Sequence, residues 1–217
     1  MASRDAVVAW VRRPASAAIA GIVFAVILGA VIVLVRGAAP VDPADPGMWT
    51  DADSRSAIST ALALMPFAGI AFLWFVGVVR AQVAPLTDRF FETVFLGSGL
   101  IFVVMLFASA ASLSAVLWLQ DAGVDVPPET RAFAWSLASG LLGSFGARMA
   151  AVFTISVSSV VLRAGRLPRW LPLCGYLVGL LLLLTPPLDT MTSLVFPLWV
   201  LALSVTVLVR QESGEVA

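Results

Sequence analysis

Apolar residues gather in six long runs along this chain, and short polar segments between them hold nearly all of its charge. The runs lie near 16–35, 57–79, 93–119, 133–162, 170–187 and 190–209. Each approaches or exceeds the roughly 20 apolar residues that a helix needs to cross a hydrocarbon layer. A helix satisfies its own backbone N–H and C=O groups, which a bilayer interior demands. The pattern predicts an all-α polytopic membrane protein, a bundle of six transmembrane helices making one transmembrane domain over 1–217. The first run follows Arg12 and Arg13 and could pass for a signal peptide. Its apolar stretch exceeds the about 7–15 residues of a signal core, and Val35-Arg36-Gly37 is a poor cleavage site, so it is read as a retained span.

The fourth run raises two further points. Its 30 residues would reach about 45 Å as a helix, against a hydrocarbon core near 30 Å. The span must tilt, protrude or break, and Gly143 and Gly146 mark a place for a break. It also repeats small residues every four positions, as Ser136-Gly140-Ser144 and as Ser139-Gly143-Ala147-Ala151. Such faces allow close approach of helix backbones. The third run is likewise rich in Ser109, Ser112 and Ser114, so spans three and four are expected to touch along Ser109, Ser112, Gly140, Gly143 and Ala147. Spans two and six carry Pro66 and Pro197, each of which removes a backbone hydrogen bond and favours a kink.

Composition agrees with the pattern. The chain is 60% hydrophobic and 12% charged, half the charge of a typical soluble domain. Its mean hydropathy is +1.02. Net charge is zero, which gives no sign of a nucleic-acid partner. All 13 basic residues are arginine and there is no histidine. Schiff-base chemistry at lysine, His-ligated haem, HExxH zinc proteolysis and a Ser–His pair are therefore excluded. Gly97-Ser98-Gly99, which faintly resembles a nucleophile motif, reads as close helix packing. Cys174 is the only cysteine; it forms no intrachain disulfide and reads as a small packing residue. No metal or cofactor is called for, and no enzyme is expected. Arginine-only basicity with heavy Ala, Val and Leu use fits a GC-rich bacterial genome.

Arginine also sets the expected orientation. With six spans, one side holds Arg4, Arg12, Arg13, Arg80, Arg89, Arg163, Arg166, Arg169 and Arg210, and the other holds Arg36, Arg55 and Arg131. Both termini are expected in the cytoplasm, with the chain in the plasma membrane. Trp118 and Trp135 flank the outer loop between spans three and four, Trp170 opens span five, and Trp10 precedes span one, as an interfacial aromatic belt would have them. Residues 5–13 suit a short interfacial helix. The segment 36–56, with Pro40, Pro43 and Pro46, reads as a cap or loose loop.

Arg148 is the residue that calls for chemistry. It stands 13 residues after Trp135 and 15 before Arg163, about 20 Å from either face. A central arginine costs from about 3 to above 10 kcal/mol, and no Asp or Glu lies inside a span to pair with it. It is expected to turn inward and form a ligand site with Ser144, Ser112 and Ser109, while Gly140, Gly143 and Ala147 pack the helices.

The stretch VLRAGRLPRWLPLCGYLVGLLLLL, residues 161–184, resembles the late cytoplasmic turn and following helix of small six-helix integral membrane proteins grouped as actinobacterial domain-of-unknown-function families. That resemblance covers about a tenth of the chain and implies no activity or site. The leading expectation is a small permease or channel-like protein that binds an anionic or polar ligand near Arg148. The alternative is a non-catalytic structural or regulatory subunit acting through helix–helix contacts. Membrane lipid, a second copy or another membrane protein are the expected partners.

Overall fold

A computed structural model describes residues 14–39, 47–83, 89–165, 167–184 and 190–215. Among them the structure is helical and contains no strand. The helices are α1 (Pro14–Ala38), the short α2 (Gly47–Thr50), α3 (Ala52–Val83), α4 (Arg89–Asp121), α5 (Pro128–Ala164), α6 (Trp170–Leu184) and α7 (Thr190–Glu215). Five are long and apolar enough to cross a membrane, and α6 is a shorter apolar helix. The described part of the expected span at 170–187 is helical from Trp170 to Leu184, and 185–187 lie outside the described residues. The expected helix at 5–13 lies outside the described residues, as do Pro40, Pro43 and Pro46. The end of the 36–56 segment is ordered: Trp49 on α2 is 2% exposed and packs among Ile58, Leu113, Leu117 and Val126.

Consecutive long helices lie side by side, and α1 also packs against α7. The six therefore close into a ring. Its centre is filled by phenylalanines, with Phe24, Phe72, Phe102, Phe153 and Phe196 arriving from five different helices. Phe24 and Phe72 have ring centroids 4.6 Å apart, Phe72 and Phe153 5.1 Å, and Phe102 and Phe196 5.2 Å. Tilted and edge-to-face pairs at such distances add about 0.5–1.5 kcal/mol each beyond burial.

Apart from Arg148, the charged side chains of the described residues lie toward the helix ends. At one end Arg55 on α3 hydrogen-bonds Gln120 and forms an ion pair with Asp121 of α4. Asp51 caps α3 by accepting the Ser54 N–H at 2.9 Å, which holds its carboxyl below the usual range. At the other end Arg80 pairs with Glu92 at 2.7 Å, and Arg163 lies over the Phe91 ring. Trp118 and Trp170 are exposed, Trp118 at 71%, as belt residues should be. Trp135 is instead half-buried against α4 and the α2 cluster.

The anticipated irregularity in span four is real, but the helix does not break. From Gly140 to Gly146 it widens into a π-helical segment and resumes α geometry at Ala147. Widening inserts one residue's worth of rotation without severing the helix. Pro66 and Pro197 both sit inside continuous helices. Gly99 meets Phe153 and Val76 at 3.3 Å from where a Cβ would stand, so within the Gly97-Ser98-Gly99 run Gly99 serves close packing while Gly97 faces open space. Cys174 is exposed on α6 and is not part of the buried core.

Candidate functional site

Spans three and four are neighbours, joined by two inter-helix hydrogen bonds. The Ser109 hydroxyl donates to the Ala138 carbonyl and that of Ser112 to Ala134, each at 3.0 Å. These serines hold the helix that carries the π segment. Ala134 and Ala138 precede Arg148 by 14 and ten residues, or about 20 and 15 Å along the axis. Arg148, Ser144, Ser112 and Ser109 therefore do not form one site.

Nor does Arg148 turn inward. It is exposed on the outer surface of α5, and its Nη1 donates to the Ser144 carbonyl one turn back, at 2.7 Å. The reason is register. Ser136, Gly140, Ser144 and Arg148 recur every four residues, and the structure turns this row outward, with Ser136 exposed and nothing within 4 Å of a Cβ at Gly140. The other row, Ser139, Gly143 and Ala147, faces the bundle interior. Long helical side chains point back toward the N-terminus, so the guanidinium reaches a carbonyl of the π segment. A carbonyl oxygen has two lone pairs, and the bond satisfies one N–H donor out of five.

Arg148 also stays at mid-height. Neighbouring Gly146 packs against Met105 of α4, where a Cβ would lie 3.5 Å from that of Met105. Met105 is 16 residues from either end of α4. Phe145 beside it is 62% exposed. An outward cation at the waist of an apolar bundle is the most costly feature on the molecule's surface.

Inside the same helix lies a cavity of about 140 Å³. Its walls include Leu28 and Val31 from α1, and Phe102 and Phe196 from the aromatic core close it below. The π segment supplies Leu142 and Gly143, with Ser139 immediately before it and Ala147 after. At the end marked by Trp135 the cavity meets Arg36, in the last turn of α1. Ser139 makes no side-chain hydrogen bond among the described residues. Arg36, Ser139 and the phenylalanines were not singled out by sequence reasoning. Only the serine had a signal, as the first member of the inward row.

The packing assignment is corrected at Gly140, which faces open space, whereas Ala147 packs against the core and, with Gly143, lines the cavity; Gly146 brings α5 against Met105 of α4. A leucine at Gly143 would enter the cavity instead of overpacking the α4 contact. Gly146→Val is expected to destabilise the solubilised protein by about 1–3 kcal/mol through overpacking, and Gly140→Ala to stay within about 0.5 kcal/mol. Thermal unfolding of both variants in one detergent checks the contrast.

Comparison with protein-family models, with curated proteins and with solved structures returns no match.

Proposed function

We propose that the chain is a non-catalytic membrane subunit that docks the outward face of α5 onto a transmembrane helix of a different membrane protein. The observation that carries this reading is Arg148, exposed at mid-height on a face of small residues. Left to acyl chains, the guanidinium bears a desolvation penalty that one carbonyl offsets only in part. A carboxylate on a neighbouring helix would offset the rest, and Gly140 and Ser144 let that helix come close. A second copy is a poor candidate. Asp53, Glu92, Asp121 and Glu129 stand near the ends of their helices, and a two-fold pairing of α5 would bring like charges together. The permease or channel-like reading loses support on two counts: Arg148 lies outside the ring, and phenylalanines fill its centre.

The arginine count supports a plasma-membrane bundle with both termini cytoplasmic, and the run at 161–184 supports kinship with the small six-helix bacterial families it resembles. A phosphatase or fluorescent reporter fused after Ala217 should report a cytoplasmic C-terminus; an extracytoplasmic signal would reverse the orientation. The docking face is tested by a photo-crosslinking residue at Gly140 in intact cells, with Leu177, exposed on α6, as the comparison site. A discrete heteromeric adduct from position 140 and none from 177 is the expected pattern. Adducts to lipid alone at both sites would overturn the reading.

A further inference from the structure

The cavity beside the π segment stands apart from the α5 docking face and has its own chemistry. Its walls are mainly hydrocarbon, and Phe102 and Phe196 of the aromatic core line its inner end. A dry apolar cavity of about 150 Å³ is known to admit benzene, so about 140 Å³ accommodates roughly six carbons of an alkyl tail, which leaves the acid carbon and its neighbour outside it toward Arg36. Two features set it apart from a packing defect. One wall is a π-helical segment, a geometry that recurs at functional sites. The lining also carries polar groups: the hydroxyls of Ser109, Ser139 and Ser193, of which Ser139 makes no side-chain hydrogen bond among the described residues, and a single cation, the Arg36 guanidinium. Arginine has five N–H donors in a planar fork, so a protein partner on some of them leaves others for a ligand acid.

We propose that this cavity binds a single-chain anionic amphiphile. The alkyl tail lies between Val31, Phe102 and Gly143, and the acid group meets Arg36. A carboxylate suits the fork, which can hold it through two parallel hydrogen bonds. The same chemistry could arrive as a free medium-chain acid or as an acyl chain of a bilayer lipid with an acidic headgroup.

Trp135 lines the cavity and provides the readout. The whole chain is placed in nanodiscs of zwitterionic phosphatidylcholine and titrated with bromo-octanoate, a quencher of indole fluorescence. The Trp135 signal is taken as the difference between wild type and Trp135→Phe. Saturable quenching of that difference is expected, reversed by unbrominated octanoate, with apparent affinity at least tenfold lower in Arg36→Gln. Bromo-octanol should bind wild type about as weakly as bromo-octanoate binds Arg36→Gln. Gly143→Leu should remove the saturable component, and competition by octanoate tests the site even if that variant fails to fold. A second set of discs with brominated acyl chains on phosphatidylglycerol separates the sources: quenching of Trp135 that added octanoate does not relieve assigns the tail to bilayer lipid. Linear, unsaturable quenching, or a difference signal that octanoate leaves unchanged in both sets of discs, would overturn the proposal. Equal affinity for the alcohol and the acid would overturn the role of Arg36.

Discussion

Arg148→Met is expected to cut heteromeric crosslinking from position 140 at least tenfold, while the melting temperature of the solubilised chain stays within about 2 °C of wild type or rises. The two halves of this result have separate causes. Among the described residues Arg148 makes one hydrogen bond, to the Ser144 carbonyl of its own helix. Methionine gives up that bond and relieves an exposed charge in an apolar surface, so the isolated bundle loses little. Across an interface the guanidinium would face a partner carboxylate, and removing it would strand that carboxylate. Tenfold corresponds to about 1.4 kcal/mol, within the range for polar contacts between membrane helices. Arg148→Lys should recover part of the adduct, because it keeps the charge and loses the planar fork. Arg148→Glu should abolish it. Crosslinking indifferent to all three substitutions would sink the docking role, and a large fall in melting temperature for Arg148→Met would point to a structural role inside the chain.

Phe153→Ala should be the most damaging single change to the bundle, at about 3 kcal/mol or more. Phe153 is fully buried, with ring centroids of Phe95 and Phe72 at 5.0 and 5.1 Å, and it also fills the space against Gly99. In a bilayer the hydrophobic term between helices is weak, since lipid is as apolar as the core, and lost packing contacts carry the cost. Truncation leaves a void bounded by rings from several helices, which cannot all move inward. For a chain of this size the expected fall in melting temperature is about 6–12 °C. Leu177→Ala, at a 69% exposed position, should shift it by no more than about 2 °C. The two variants are compared in the same detergent and lipid; a Phe153→Ala protein that melts with wild type would mean that the aromatic centre is not closely packed.

Arg148 shows how near the sequence came to its own answer. Its depth was legible from Trp135 and Arg163, and the structure keeps it at mid-height. Its direction was read from the absence of an internal carboxylate, which favoured burial. The four-residue row from Ser136 through Gly140 and Ser144 already placed it on one face of span four, and choosing between that face and the Ser139 row required knowing where α4 and α1 pack. The π segment deepens the difficulty, because one inserted residue's worth of rotation at 140–146 shifts every position after it relative to those before. The small-residue contact illustrates the same limit. Spans three and four do meet, through Ser109 and Ser112, yet the glycine set against Met105 of α4 is Gly146, while Gly140 faces open space.

By itself, the sequence determined the solvent. Runs of apolar residues near bilayer length leave a backbone no option but helix, and the same composition settled the all-α class, the charged ends and the absence of histidine and lysine chemistry. Tertiary structure decided what each helix face meets. Phe24, Phe72, Phe102, Phe153 and Phe196 are scattered over five helices and become one core only when the ring closes. The cavity between that core and Arg36 exists in no single segment. In a membrane, lipid-facing and core-facing residues are equally apolar, so hydrophobicity marks where a helix lies and carries little information about which way it turns.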